Sequence, residues 1–237
     1  MSNYVVLSPS AHNNTHVITD RGEAQGDNIQ YSLTYPLEFR NIQSCYPIFF
    51  SKSGDTGEFS PIALFGFEKN ENLFLDDSGW NAPYIPMMVE RQPFLIGYQG
   101  TDDDLKPIVS IDMDSPKISE GMGQPLFDKH SQPTEFLKNM MIKLESLHHG
   151  HEHNKGFITA LIVEDLLEPF TLEVTLDNGS NHQLIGYYTI NEDKLRDLDG
   201  PTLADFNSKG YLQPIYMVVA SYARVRALID KKNALSK

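Results

Sequence analysis

The chain has 237 residues, 40% of them hydrophobic and 11% aromatic, which supplies one large core or two small ones and excludes disorder over most of its length. Its 32 acidic residues outnumber 19 basic ones for a formal charge of -13, so most of the surface repels nucleic-acid phosphates and anionic membranes. The single cysteine, Cys45, excludes an intrachain disulfide and a cysteine-based zinc site, and fits a reducing compartment.

The N-terminal stretch "MSNYVVLSPSAHNNTHVITD" has neither the basic region nor the apolar stretch of a cleavable signal, so a cytoplasmic location is expected. The apolar run around "IYMVVASYA" is far shorter than the roughly 20 residues of a bilayer span, so membrane insertion is not expected. Residues 1–30 are polar and read as an arm, ordered only where it lies on the body. From "QYSLTYPLEF" to "DMDSP", apolar runs alternate with turn residues about every 8 to 12 positions, the pattern of antiparallel strands. "PIALFGFEKNENLFL" predicts a hairpin in which Ile62 to Phe67 and Leu73 to Leu75 flank "EKNEN". "PFLIGYQ" and "KPIVSIDMD" predict a second, joined across "GTDDDL".

The character changes after Pro133. Thr134 can cap a helix carrying Phe136, Leu137, Met140, Met141, Leu144 and Leu147 at helical spacing, with Gly150 placed to end it. A second helix is predicted from Asn154 to Leu166, which leaves "LHHGHEHNKG" as the connector. "FTLEVTL" alternates apolar and polar residues, turns at "DNG" and returns as "QLIGYYTI", a strong hairpin signal. "NEDKLRDL" and "PTLADFNSKG" read as short helices, the second closed by Gly210. "LQPIYMVVASYARVRALIDKK" reads as one last helix with an apolar face and a basic end that complements a helix C-terminus. The expected fold is α+β, an N-terminal antiparallel β region with a helix-rich C-terminal part containing a β-hairpin. It is expected as an arm over 1–30 and a single domain over 31–237 that changes character near 133.

Three stretches carry a resemblance to a known family, running from about Tyr35 to Leu235. They are "YPLEFRNIQSCYPIFF", "NLFLDDSGWNAPYIPMMVERQPF" and "GQPLFDKHSQPTEFL", with the order of elements kept through "GYYTINEDKLRDLDGPTLADFNSKGYLQPIYMVVAS". Together they resemble the bacterial, surface-layer-associated SapC-like proteins, as distinct from a membrane transporter permease of the same name. Relatives usually carry Arg-Arg-Tyr-Pro-Phe where this chain has "ERQPF", so Glu90 stands at an arginine position, Gln92 at the tyrosine, and Arg91 alone remains as a cation. Relatives tend to be encoded near flavin-dependent halogenase-like proteins, cupin-like oxygenases and TonB-dependent receptors. The resemblance therefore implies an accessory role, with a flavin-dependent halogenase-like protein as a candidate partner and a surface-layer subunit as a further reading.

Candidate sites follow from chemistry. A zinc or iron(II) site needs two or three imidazoles converging at roughly 2.0 to 2.2 Å from the metal. His149, His151 and His153 offer imidazoles, but on an interhelical turn and without the His-Glu-x-x-His spacing of a zincin. Asp112 and Asp114 in "SIDMDSP" share one face of a predicted strand, where carboxylates can bind a cation or simply face solvent. A metal-dependent enzyme on either set is the rival reading. The preferred segment is "DDSGWNAPYIPMMVERQPF", where Asp77, Trp80, Tyr84, Arg91 and Phe94 can form an amphipathic ligand or partner site stiffened by Pro83, Pro86 and Pro93. Its bland alternative buries Trp80, Tyr84 and Phe94 as a plug, with Arg91 paired to Asp76 or Asp77. Cys45, within "QSCYPIFF", reads as a buried inert thiol. No nucleophile elbow or phosphate-binding glycine loop is present. The expectation is a non-enzymatic binding or accessory protein acting with a protein or small-molecule partner, with no catalytic residue, metal or cofactor assigned.

Overall fold

The computed structural model describes residues 2–99 and 106–235. In chain order the elements are β1 (Tyr4–Val6), α1 (Pro9–His12), β2 (His16–Val17), β3 (Tyr31–Leu33), α2 (Phe39–Cys45), β4 (Ile48–Lys52), β5 (Phe59–Leu64), β6 (Leu75–Asp76), β7 (Gly79–Trp80), α3 (Met87–Glu90), β8 (Phe94–Gln99) and β9 (Lys106–Asp112). They continue as β10 (Ile118–Ser119), β11 (Gln124–Pro125), α4 (Glu135–Val163), β12 (Leu167–Thr175), β13 (Asn181–Ile190), α5 (Glu192–Arg196), α6 (Gly200–Ser208), α7 (Leu212–Ser221) and α8 (Ala223–Leu235). The fold is α+β, with antiparallel sheets in the N-terminal part and helices, interrupted by a hairpin, in the C-terminal part. No helix among the described residues is long and apolar enough to cross a membrane.

The central sheet has the order β12-β13-β4-β5-β3, every neighbouring pair antiparallel. The β12–β13 hairpin forms as predicted around Gly179 at φ 84°, and Tyr188 of β13 lies opposite Phe50 of β4. One sheet thus joins residues from both sides of Pro133. Phe49, Phe50, Ile62 and Leu64 are fully buried in one core with Phe39 and Ile42 of α2, Phe157 of α4, and Ile215 and Val218 of α7. Burying each side chain of this size contributes about 1.5 to 3 kcal/mol.

A second core lies under the three-stranded sheet β1-β9-β8, where Phe94 and Ile111 meet Leu137, Met140 and Leu144 of α4. The β8–β9 pairing is the predicted one; its "GTDDDL" turn lies outside the described residues. The first 30 residues contribute β1 at the edge of this sheet and β2 between β10 and β11. They are pinned by Asp27, fully buried, whose carboxylate meets Arg21 at 3.3 Å, Lys117 at 3.4 Å and the Gly22 backbone N–H at 3.0 Å. Burial lowers the Lys117 pKa, with the neighbouring Arg21 adding to the effect and Asp27 opposing it.

The structure overturns three local expectations. Gly150 does not end a helix, because α4 is a single helix of 29 residues running through the histidine cluster. A Cβ on Gly150 would lie 2.0 Å from Leu37 Cδ2 and 3.4 Å from Tyr35 Cβ, so this glycine serves a close approach by the "YPLEF" segment. The helix ends instead at Asp165, φ 52°, where Leu166 N–H donates to Leu161 O and Asp165 N–H to Ile162 O, a Schellman arrangement. The "EKNEN" segment turns the chain back but builds no strand ladder. Leu73 N–H reaches Phe65 O at 2.9 Å, Glu71 turns its carboxylate onto the Phe67 N–H at 2.8 Å, and Leu75 pairs with Trp80 rather than with β5. The last helix breaks at Tyr222, whose ring stacks on Phe49 at 5.8 Å while its hydroxyl accepts the Ile190 N–H. Around that residue the backbone bonds tighten to Tyr222 N–H to Val219 O and Val225 N–H to Tyr222 O.

Two stability outcomes follow. Asp27→Ala leaves Arg21 and Lys117 without their buried counter-charge and should lower unfolding free energy by about 3 to 5 kcal/mol in a urea titration. Gly150→Ala should destabilise the native chain because of Leu37, yet stabilise a Leu37→Ala background by up to about 1 kcal/mol, the ordinary helix gain. Equal effects in both backgrounds would show that Leu37 does not set the glycine requirement.

Candidate functional site

The Asp76 to Phe94 segment is held by hydrogen bonds to the core side chains beneath it. Its first turn closes on Asp76, which accepts from Ser78 N–H at 2.8 Å, Ser78 Oγ at 2.5 Å and Asn81 Nδ2 at 2.6 Å. Those bonds, the Ser78 hydroxyl's foremost, hold its carboxyl below the usual range. Trp80 lies edge-on to Phe65 at 5.2 Å and donates its indole N–H to the Tyr46 hydroxyl at 2.8 Å. Tyr46 in turn donates its own O–H to the Tyr84 carbonyl at 2.5 Å.

Tyr84 then donates to Glu38 at 2.8 Å, and the same carboxylate takes the Thr34 hydroxyl at 2.8 Å and the Met87 N–H at 3.0 Å. Glu38 is 2% exposed. Burial pushes its pKa up, opposed by these hydrogen bonds, the Met87 backbone first. Burial and the nearby Glu38 charge also push the Tyr84 phenol up, so it remains a donor.

The segment's five candidate residues are therefore distributed over several environments. Trp80 and Tyr84 are half-buried against the first core, whereas Phe94 is fully buried in the second. Asp77 is exposed in the β6–β7 turn, and no ion pair joins Arg91 to Asp76 or Asp77 among the described residues. Arg91 opens into a cleft. Its Nη1 donates to Phe94 O at 2.6 Å, and its Nε is closed off from water without an acceptor.

The cleft holds about 330 Å³ between the "YPLEF" segment, α3, β8 and α4. Tyr35 and Arg91 face His148, His151 and Glu152, above a floor of Met88, Leu95, Ile96, Leu144 and Leu147. Tyr35 and His151 meet edge-on at 5.8 Å, with the phenol oxygen 3.5 Å from Nδ1. Desolvation raises the Tyr35 pKa, Arg91 opposing and Glu38 adding to the effect, so Tyr35 stays a proton donor.

Helical winding, at about 100° per residue, separates the imidazoles that a strand would have aligned. His151 faces this cleft, His149 lines a neighbouring groove with Ile142 and Glu145, and His153 packs on Tyr211 at 5.4 Å. The connector placement of "LHHGHEHNKG" is thus corrected, since a continuous helix carries it between two cores. No group of three His, Cys, Asp or Glu residues among the described residues can hold a metal ion. Asp112 closes the end of β9, accepting from Asn3 N–H at 2.7 Å and Asp114 N–H at 3.2 Å, while Asp114 sits exposed beyond the strand. The Cys45 thiol is half-buried rather than buried, 3.3 Å from Ser44 Oγ.

Sequence reasoning missed Tyr35 and Glu38 as site residues, although both stand in "YPLEF". A carboxylate between Leu37 and Phe39 was the available signal, because a buried acid needs several donors. It missed the cleft face of α4 because Gly150 was read as a stop. The spacing of Leu144, Leu147, His148, His151 and Glu152 is that of one helix face.

Glu38→Ala should cost about 3 to 5 kcal/mol by deserting three donors, the Thr34 hydroxyl buried and those of Tyr84 and Met87 partly so. Because the folded pKa lies above the ordinary value of 4.5, the folded state holds this proton longer than the unfolded one. The Glu38 contribution is therefore fullest at or below pH 4.5 and declines as pH rises through the folded pKa. Glu38→Gln should remove that decline. Its midpoint in denaturant, relative to the native chain's, should rise with pH above 4.5; a constant difference would rule out the raised pKa.

A family model described as SapC matches residues 7–228, a span that includes Tyr35, Glu38, Arg91 and the whole of α4. No curated protein and no solved structure matches the chain.

Proposed function

This chain belongs to the SapC family, and we propose that it is a non-enzymatic binding protein whose recognition element is the cleft between Arg91 and α4. The observation that carries the reading is a guanidinium that lines an apolar recess and has no ion-pair partner among the described residues, although Asp112 and Asp114 line a neighbouring pocket with it. Among the described residues Arg91 is engaged by one neutral carbonyl and has no carboxylate partner, and since its Nε is shielded, its terminal nitrogens are what an occupant of the cleft can meet. Polar groups this poorly satisfied are rare in buried settings and call for a physical account.

A binding rather than catalytic role is favoured by how the other reactive groups are spent. Glu38 is tied to three donors, and Asp112 caps its own strand end. The cleft presents a cation, a phenol and imidazoles over an aliphatic floor, which suits recognition with a few placed polar groups. The accessory part of the reading keeps a protein partner, with a flavin-dependent halogenase-like protein suggested by family context, and a cytoplasmic setting.

The test is native mass spectrometry of the full chain after equilibration with a small-molecule extract of cells. A stoichiometric adduct should appear, leave with unchanged mass on denaturation, and vanish in Arg91→Ala and Leu95→Trp at preserved circular dichroism. Leu95 is 36% exposed and lines the cleft, so an indole there fills it without entering the core. Absence of any Arg91-dependent adduct, or release of a chemically altered one, would defeat the binding reading.

A further inference from the structure

The chemistry of the cleft restricts its occupant. In a chain of net charge -13, Arg91 is a cation without a carboxylate partner among the described residues, and the field around it otherwise disfavours anions. An anion is admitted only where it meets that guanidinium. The adjacent carboxylate does not compensate it, because Glu90 turns into a different groove and meets Lys143 at 2.5 Å.

The charge of the occupant is set by the same inventory. One guanidinium balances one negative charge. Glu152 lies on the opposite rim, paired to Lys155 at 2.8 Å, and would repel a second. The guanidinium fork takes carboxylate and phosphate oxygens alike, so it is the single available positive charge that favours a carboxylate over a dianion. The carboxylate's second oxygen falls to the Tyr35 hydroxyl or to His151, whose Nδ1 lies 3.5 Å from that hydroxyl.

The body of the occupant is set by the floor and the size. Leu95, Ile96, Leu144 and Leu147 offer no hydrogen bond, so a purely polar anion would leave that surface wet. At the ~30 Å³ that a water-sized group occupies in the liquid, a 330 Å³ cleft takes about eleven heavy atoms. We infer that the cleft binds a singly charged carboxylate with an apolar body, a medium-chain fatty acid in size and character. Its head sits on Arg91 and its tail lies along Leu95, Ile96, Leu144 and Leu147. The inference rests on the binding role proposed above and names the ligand class for it.

Isothermal titration of the full chain with decanoate, decanol and decyl phosphate, below their micellar concentrations, tests this. Decanoate should bind one to one, with decanol and decyl phosphate each at least about tenfold weaker. Arg91→Ala should lose at least about tenfold in decanoate affinity, Arg91→Lys should recover part of it, and Leu95→Trp should abolish binding. The lysine and tryptophan variants keep the test decisive if the alanine variant folds poorly. Equal binding of decanol would overturn the charged-head assignment, and tighter binding of decyl phosphate would overturn the single-charge argument. If decanoate fails to bind while the cell-extract adduct still depends on Arg91, the ligand class is wrong and the binding role stands. If neither appears, both fall.

Discussion

The buried Glu38 carboxylate is the interaction on which the surrounding structure depends. A carboxylate at 2% exposure is tolerated only where donors replace the water it has lost. Here they come from Thr34, just before the "YPLEF" segment, and from Tyr84 and the Met87 backbone, about fifty residues on. Satisfying Glu38 therefore fixes where α3 starts relative to α2, and Arg91 follows α3 at once. The Trp80, Tyr46 and Tyr84 hydrogen bonds secure the other end of the same loop.

The second constraint is the continuity of α4. Leu137, Met140 and Leu144 are buried under the β1-β9-β8 sheet, while Phe157, Ile158 and Leu161 are buried under the central sheet. One helix of 29 residues thus serves two cores, roughly 43 Å from end to end. Between those two anchored ends lies the stretch with Gly150, His148 and His151. There Leu37 approaches the backbone, and the helix and the "YPLEF" segment together wall the cleft. The site exists because a loop pinned by Glu38 faces a helix held from both sides.

These constraints also show how far residue patterns could be read. The β12–β13 hairpin was legible because alternation and a "DNG" turn are local. The Thr134 cap was legible for the same reason, and its hydroxyl accepts the Leu137 N–H at 3.3 Å. Gly150 was misread because a glycine that ends a helix and one that admits a neighbour carry the same letter. Within the preferred segment Arg91 was the residue that opens into the cleft, while Trp80, Tyr84 and Phe94 went largely to packing. Their aromatic bulk made both outcomes consistent with the spacing.

The sequence by itself determined the α+β class, the antiparallel pairing of β8 with β9 and β12 with β13, most helix positions and the family, because these rest on periodicity, turn chemistry and contiguous motifs. Only the tertiary structure decided that the histidine segment is helical, that Glu38 is buried and satisfied, and that Arg91 meets His148 and His151 across an apolar recess. Those outcomes depend on residues far apart in the chain competing for the same interior space and the same hydrogen-bond donors. No local pattern records which of them wins.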